Sequence, residues 1–89
     1  MKAVVTVIGK DSVGIIAAVS AVCAEYSVNI LDITQSVLSD YFAMIMLVSI
    51  EKAKIPFADF ADKMDQLGKS MGMEIHVMHE DIFNTMHHV

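Results

Sequence analysis

A chain of 89 residues, 55% hydrophobic and with a mean hydropathy of +0.55, is sized for one domain spanning residues 1–89. It is too apolar for a disordered polymer and leaves no room for a catalytic domain with a regulatory appendage. The formal net charge is −5 and all six basic residues are lysines, which excludes nucleic acid and anionic membranes as expected partners, since both reward clustered Lys and Arg. The longest apolar run, Tyr41 to Val48, falls far short of the ~20 residues that span a bilayer. The N-terminus lacks a long apolar stretch followed by a small-residue cleavage site, so the expected location is cytoplasmic. The single cysteine, Cys23, excludes an intramolecular disulfide and paired-cysteine metal or redox sites.

Lys2 to Ile8 is dense in β-branched residues and predicts a first strand closed by Gly9. From Ser12 to Tyr26, Ile15, Val19, Val22, Cys23 and Tyr26 recur at helical spacing, with Asp11 or Ser12 as the expected cap. That stripe makes Cys23 a buried, inert thiol. Val28 to Leu38 predicts a second strand whose polar face, Asp32, Thr34 and Ser36, suits a sheet edge. Ser39 and Asp40 form a turn, and Tyr41 to Ile50 is a third strand, apolar at nearly every position and so central.

Lys52 to Ile55 connects to a second helix with Pro56 at its first position. Phe57, Phe60, Ala61, Met64, Leu67 and Met71 mark its buried stripe, and Asp59–Lys63 and Asp65–Lys69 are acid-before-lysine pairs on its wet face. Gly72 ends it as a left-handed cap. Met73 to Glu80 alternates as a fourth, edge strand. The tail from Asp81 predicts a short helix capped by Asp81, with Ile82, Phe83 and Met86 as its stripe.

The order β-α-β-β-α-β is that of the α+β ferredoxin-like fold. It predicts an antiparallel four-stranded sheet in the order 4-1-3-2 with two helices on one face. Strands one and three are apolar on both faces, so the second face needs cover from the tail or from another copy of the chain. Together with the small size of the domain, this predicts a homodimer.

Chemistry is sparse. Gly9 and Gly14 have the spacing of a phosphate loop, but Ile15 and Ile16 stand where such a loop needs Lys and Ser or Thr. His76 and His79, three apart on a strand, point to opposite faces and cannot share a metal ion. His87 and His88 are adjacent near the chain end, and no Ser-His-Asp arrangement stands out beside Glu80 and Asp81. Acylphosphatase-like chemistry on this topology needs an arginine, and copper-chaperone chemistry needs paired cysteines. The expectation is a binding module, with no catalytic residue, metal or cofactor.

The turn in "TVIGKDSVGII", Thr6 to Ile16, is the exception. A helix N-terminus offers unpaired N–H groups to a carboxylate, Gly14 admits close approach, Asp11 can attract an ammonium, and Asn29 can donate and accept. In a purely structural reading Asp11 caps the helix, Gly14 permits close helix-to-sheet packing, and Asn29 only tolerates a strained turn. "KDSVGI", with Asp11 and Gly14, and "VNI", with Asn29 and Ile30, resemble the ACT domain family over essentially the whole chain, and most closely its short stand-alone members related to the glycine-cleavage repressor modules. The resemblance implies an effector where two copies meet, contacted by Asp11, Ser12, Val13, Gly14, Ile15, Asn29 and Ile30. Two departures are visible: no enzyme is fused to the module, so regulation would act in trans, and Val13 stands where many relatives place a proline. The expected function is therefore a regulatory module binding a small amino acid or related metabolite in a homodimer. The alternative is a ligand-free dimeric module that binds a protein partner.

Overall fold

A computed structural model describes residues 1–10 and 13–86. The elements follow as β1 (Lys2–Gly9), α1 (Ile15–Glu25), β2 (Asn29–Leu38), β3 (Tyr41–Ser49), α2 (Phe57–Met71), β4 (Glu74–His79) and α3 (Glu80–Met86). The sheet runs β2-β3-β1-β4, all neighbours antiparallel. This is the ferredoxin-like order 4-1-3-2, with the two strands that are apolar on both faces at the centre.

Alternation along the strands divides the sheet. Ala3, Val5 and Val7 of β1 lie opposite Val48, Met46 and Met44 of β3, and all six are almost wholly buried under the helices with Ile15, Val19 and Cys23 of α1 and Phe60 and Met64 of α2. Met44, Met46, Met64 and Met73 are core residues, using their flexible thioethers to fill irregular space. Burial pushes the Cys23 thiol up to about 11, so the inert reading of this cysteine holds.

The helix boundaries depart from the sequence reading in three places. First, α1 begins at Ile15 and its N-cap position is Gly14, in left-handed conformation with φ 76. The expected caps Asp11 and Ser12 lie outside the described residues, as do His87 and His88. Second, Pro56 is the N-cap residue of α2 rather than its first helical residue, and Gly68 replaces Met71 on the buried stripe, Met71 being exposed. The reason is β4: a Cβ on Gly68 would stand 2.7 Å from the Met73 carbonyl oxygen and 3.0 Å from Ile75, so only glycine lets the strand cross there. The C-cap falls on Gly72, φ 70, as expected, and of the two acid–lysine pairs Asp65–Lys69 closes at 3.1 Å.

Third, Asp81 does not cap α3. The helix already includes Glu80, and the Asp81 N–H donates to His79 Nδ1 at 3.2 Å, so an imidazole supplies the acceptor usually given by Ser or Asp. The tail packs against β1 and β4, and Phe83 and Met86 join Thr6, Ile8, Ala43, Ile45 and Met78 around an apolar hollow on the sheet's second face. The cover is partial. Of the expected stripe only Phe83 is half-buried; Ile82 and Met86 are exposed, as are Ile8, Tyr41 and Ile45 beside them.

Candidate functional site

Of the expected site residues Val13, Gly14, Ile15, Asn29 and Ile30 are described, and these do not form one cluster within one chain; Asp11 and Ser12 lie outside the described residues. Gly9, which leads into the turn, pairs with Phe42, and Phe42 with Val37, whereas Asn29 pairs with Ser49, and Ser49 with Lys2. The turn therefore lies at the end of β1 and β2, and Asn29 at their start, separated by seven strand residues or ~23 Å.

At the turn end, Val13 is 83% exposed and Ile15 is fully buried, so Ile15 can offer a ligand only its backbone. Gly14 has nothing within 4 Å of the position a Cβ would take. That removes close helix-to-sheet packing as the reason for this glycine and leaves its left-handed φ, which costs most other residues about 1 kcal/mol. The first intrahelical bond runs from the Ala18 N–H to the Gly14 carbonyl at 2.9 Å. The opening N–H groups of α1 are those a helix leaves without intrahelical acceptors, and Gly14 brings no side chain to cap them. Lys10, just before the turn, places its ammonium 5.7 Å from the Tyr41 ring centroid, within cation–π range.

At the other end, α1 closes with a Schellman motif: the Val28 N–H donates to the Cys23 carbonyl at 2.8 Å and the Ser27 N–H to that of Ala24 at 3.3 Å. The left-handed residue this motif needs is Ser27, φ 57, where glycine is the usual occupant. Asn29 follows, exposed, and Ile30 turns half-buried to the helix side; a β-bulge at Leu31 separates Ile30 from Asp32 in the ladder. Ser27, Asn29, Ser49, Glu51 and Lys52 line a cleft of about 340 Å³ whose exposed lining is polar and apolar in nearly equal parts. Sequence reasoning found Asn29 but missed the other four. The serine at the helix exit was a legible signal, but only the strand register brings Ser49 and the β3–α2 connection beside Asn29.

β2 is a free edge, bonded in this chain to β3 alone. Along its flank Ile33 (40%), Val37 (73%) and Ile16 (40%) are exposed together with Val13. His76 and His79 face opposite sides; His76 Nε2 lies 3.2 Å from the Glu74 carboxylate, and His79 Nδ1, which accepts the Asp81 N–H, has the Asp81 carboxylate 3.6 Å away. Among the described residues no three metal-ligating side chains converge, and no helix is long and apolar enough to cross a membrane.

Comparison with known proteins places this geometry in a family. A UPF0237 protein of Clostridium acetobutylicum is 47% identical over 89 residues, covering 100% of both chains. An ACT domain protein from Streptococcus pneumoniae superimposes with a TM-score of 0.81 at 40% identity over 93% of each chain. A putative glycine cleavage system transcriptional repressor shares the fold, with a TM-score of 0.72 at 20% identity over 89% of this chain and 47% of its own. ACT domains are regulatory, ligand-binding modules, and their sequence pattern matches residues 2–78 here: the chain belongs to the ACT domain family.

Proposed function

We propose that this protein is a regulatory module acting in trans, which binds a small amino acid or related metabolite between two copies of itself. The observation that carries the reading is Gly14: a left-handed glycine facing open space at a helix N-terminus with no capping side chain of its own, in the turn through which ACT domains meet their effectors. Such a terminus favours a carboxylate through its opening N–H groups, which have no intrahelical acceptors, and its partial positive charge. The Asp11 carboxylate is the proposed partner for the ligand's ammonium, with Ser12, Val13 and the backbone of Ile15 around it.

Strand direction supports the dimer. If two copies pair their free β2 edges antiparallel about a two-fold axis, the start of one β2 meets the end of the other, and Asn29 and Ile30 of one copy approach the turn of its partner. Two complete sites arise, each sharing residues from both chains. The same contact covers Val13, Ile16, Ile33 and Val37, whose exposure is otherwise unfavourable.

Calorimetric titration of the whole chain with each of the twenty amino acids should reveal one that binds at or below millimolar concentration. Asn29→Ala should weaken it about tenfold, a loss typical of a hydrogen bond to a charged group. Light scattering across a dilution series should give two copies per particle. If no amino acid binds and the dimer persists, the protein is the ligand-free interaction module instead.

A further inference from the structure

We propose that the cleft at the start of β2 reads the ligand's side chain, and that the ligand is an amino acid whose side chain is polar but uncharged, an amide or a hydroxyl. The inference rests on the dimeric reading above, in which the partner's turn holds the α-carboxylate and α-ammonium. The rest of the ligand then extends over Asn29 into the cleft.

The lining chemistry sets the class. Ser27, Asn29, Ser49, Glu51 and Lys52 border the cleft, and none of these side chains is apolar. The two hydroxyls and the amide each donate and accept, Glu51 accepts and Lys52 donates. Glu51 has the N-terminal ammonium 4.0 Å from its carboxylate and Lys52 as its chain neighbour, so a charged ligand group of either sign meets repulsion as well as attraction, whereas an amide can donate to the carboxylate and stand as acceptor towards the ammonium groups. An apolar side chain would displace water from these groups and return no hydrogen bonds.

The cleft is also held in shape. The Lys54 N–H donates to the Tyr26 carbonyl at 2.8 Å, Ala53 to Ile50 at 3.1 Å, and Ile50 to Met1 at 2.9 Å, so the backbone around Glu51 and Lys52 is tied both to the end of α1 and to the start of the chain. Ser27 supplies an independent observation. Its φ of 57 is a conformation that glycine adopts without strain, and what serine adds is a hydroxyl at the cleft wall.

The test titrates the full chain by calorimetry with asparagine, glutamine, serine and threonine against leucine, valine, aspartate and lysine. Asparagine should bind at least about tenfold tighter than leucine, its near-isostere, because a site built for hydrogen bonds rejects a ligand lacking them. Ser27→Gly should raise the melting temperature by relieving the left-handed strain, yet weaken the preferred ligand by about fivefold or more. Lys52→Met and Glu51→Gln should each narrow the gap between amide and leucine. Equal binding of leucine and its amide counterparts overturns this inference alone, as does unchanged binding in Ser27→Gly; binding by none of the amino acids overturns it together with the ligand reading itself.

Discussion

Two corners of the molecule use glycine for opposite reasons. At one, Gly9 and Gly68 close around Met73: a Cβ on Gly9 would overlap the Met73 Sδ and stand 2.6 Å from its Cε, and one on Gly68 would press the Met73 backbone. At the other, the entrance to α1, Gly14 has open space where its side chain would be and needs only its left-handed φ. Sequence alone makes these glycines look alike, and Gly9 and Gly14 even share the spacing of a phosphate loop. The crowded corner is core; the open one is surface with backbone N–H groups to offer. Substitutions should separate them.

The largest effect belongs to the crowded corner. Gly68→Val should destabilise by about 3 kcal/mol or more, since overpacking alone costs roughly 1–3 kcal/mol and here the obstacle includes backbone. Gly9→Ala should cost less, because the atoms it meets are the end of a flexible thioether, and combining it with Met73→Ala should recover part of the loss. Denaturant titrations of the singles and the double decide this; strict additivity would mean that Gly9 and Met73 do not pack as the distances imply.

Cys23 tests the core that this corner belongs to. Its thiol titrates near 9.0 in an unfolded chain and about 11 when folded. Below pH 9 both states hold the proton and the thiol's contribution is fully present. Between about pH 9 and 11 the unfolded chain releases its proton while the folded chain keeps it, so stability falls as pH rises. The loss should approach about 2–3 kcal/mol, two pKa units at ~1.4 kcal/mol each. Denaturant unfolding at pH 8 and pH 11 should show it in the wild type and not in Cys23→Ala; identical pH dependence in the two would mean that the thiol ionises freely in the folded state.

A smaller effect is expected on the second sheet face. Deleting Asp81 to Val89 removes all of α3 but Glu80, and of the described residues it removes, only Phe83 is half-buried, so about 1–2 kcal/mol should be lost. In a domain of this size each kcal/mol shifts the melting temperature by about 4–8 °C. An unchanged melt would assign the cover over Val4 and Thr6 no stabilising role.

What the sequence disclosed follows from which interactions are periodic. The valines of Lys2 to Ile8 and the continuous apolar run from Tyr41 marked the central strands, because burial on two faces leaves no polar alternation to read. Asp32, Thr34 and Ser36 marked β2 as an edge for the converse reason. Boundaries were poorly legible because they depend on single contacts between elements: Gly68 is buried since β4 crosses it, and the Asp81 N–H donates to His79 where Asp81 was itself the expected cap. The site was half legible. Gly14 and Asn29 could be named from local chemistry, but the register that sets them at opposite ends of the sheet, and that gathers Ser49, Glu51 and Lys52 beside Asn29, is a property of strand pairing.

The last prediction asks whether the open corner is more than a bend. Gly14→Ala forces a Cβ into the left-handed region and puts a poor residue at the N-cap position, so about 1 kcal/mol should be lost even though no atom blocks the new methyl. Gly14→Asn differs in kind. Asparagine tolerates this φ better than most residues, and its side chain can cap α1, so the melting temperature should stay near that of wild type. The same side chain would occupy the N–H groups proposed for the ligand's carboxylate and fill the space in front of them. Ligand affinity should therefore fall about tenfold or more in Gly14→Asn without loss of stability, measured by calorimetry and thermal unfolding on one preparation. If Gly14→Asn binds as wild type does, the helix entrance is a structural corner whose glycine serves φ alone, and the two corners differ only in how their glycines are confined.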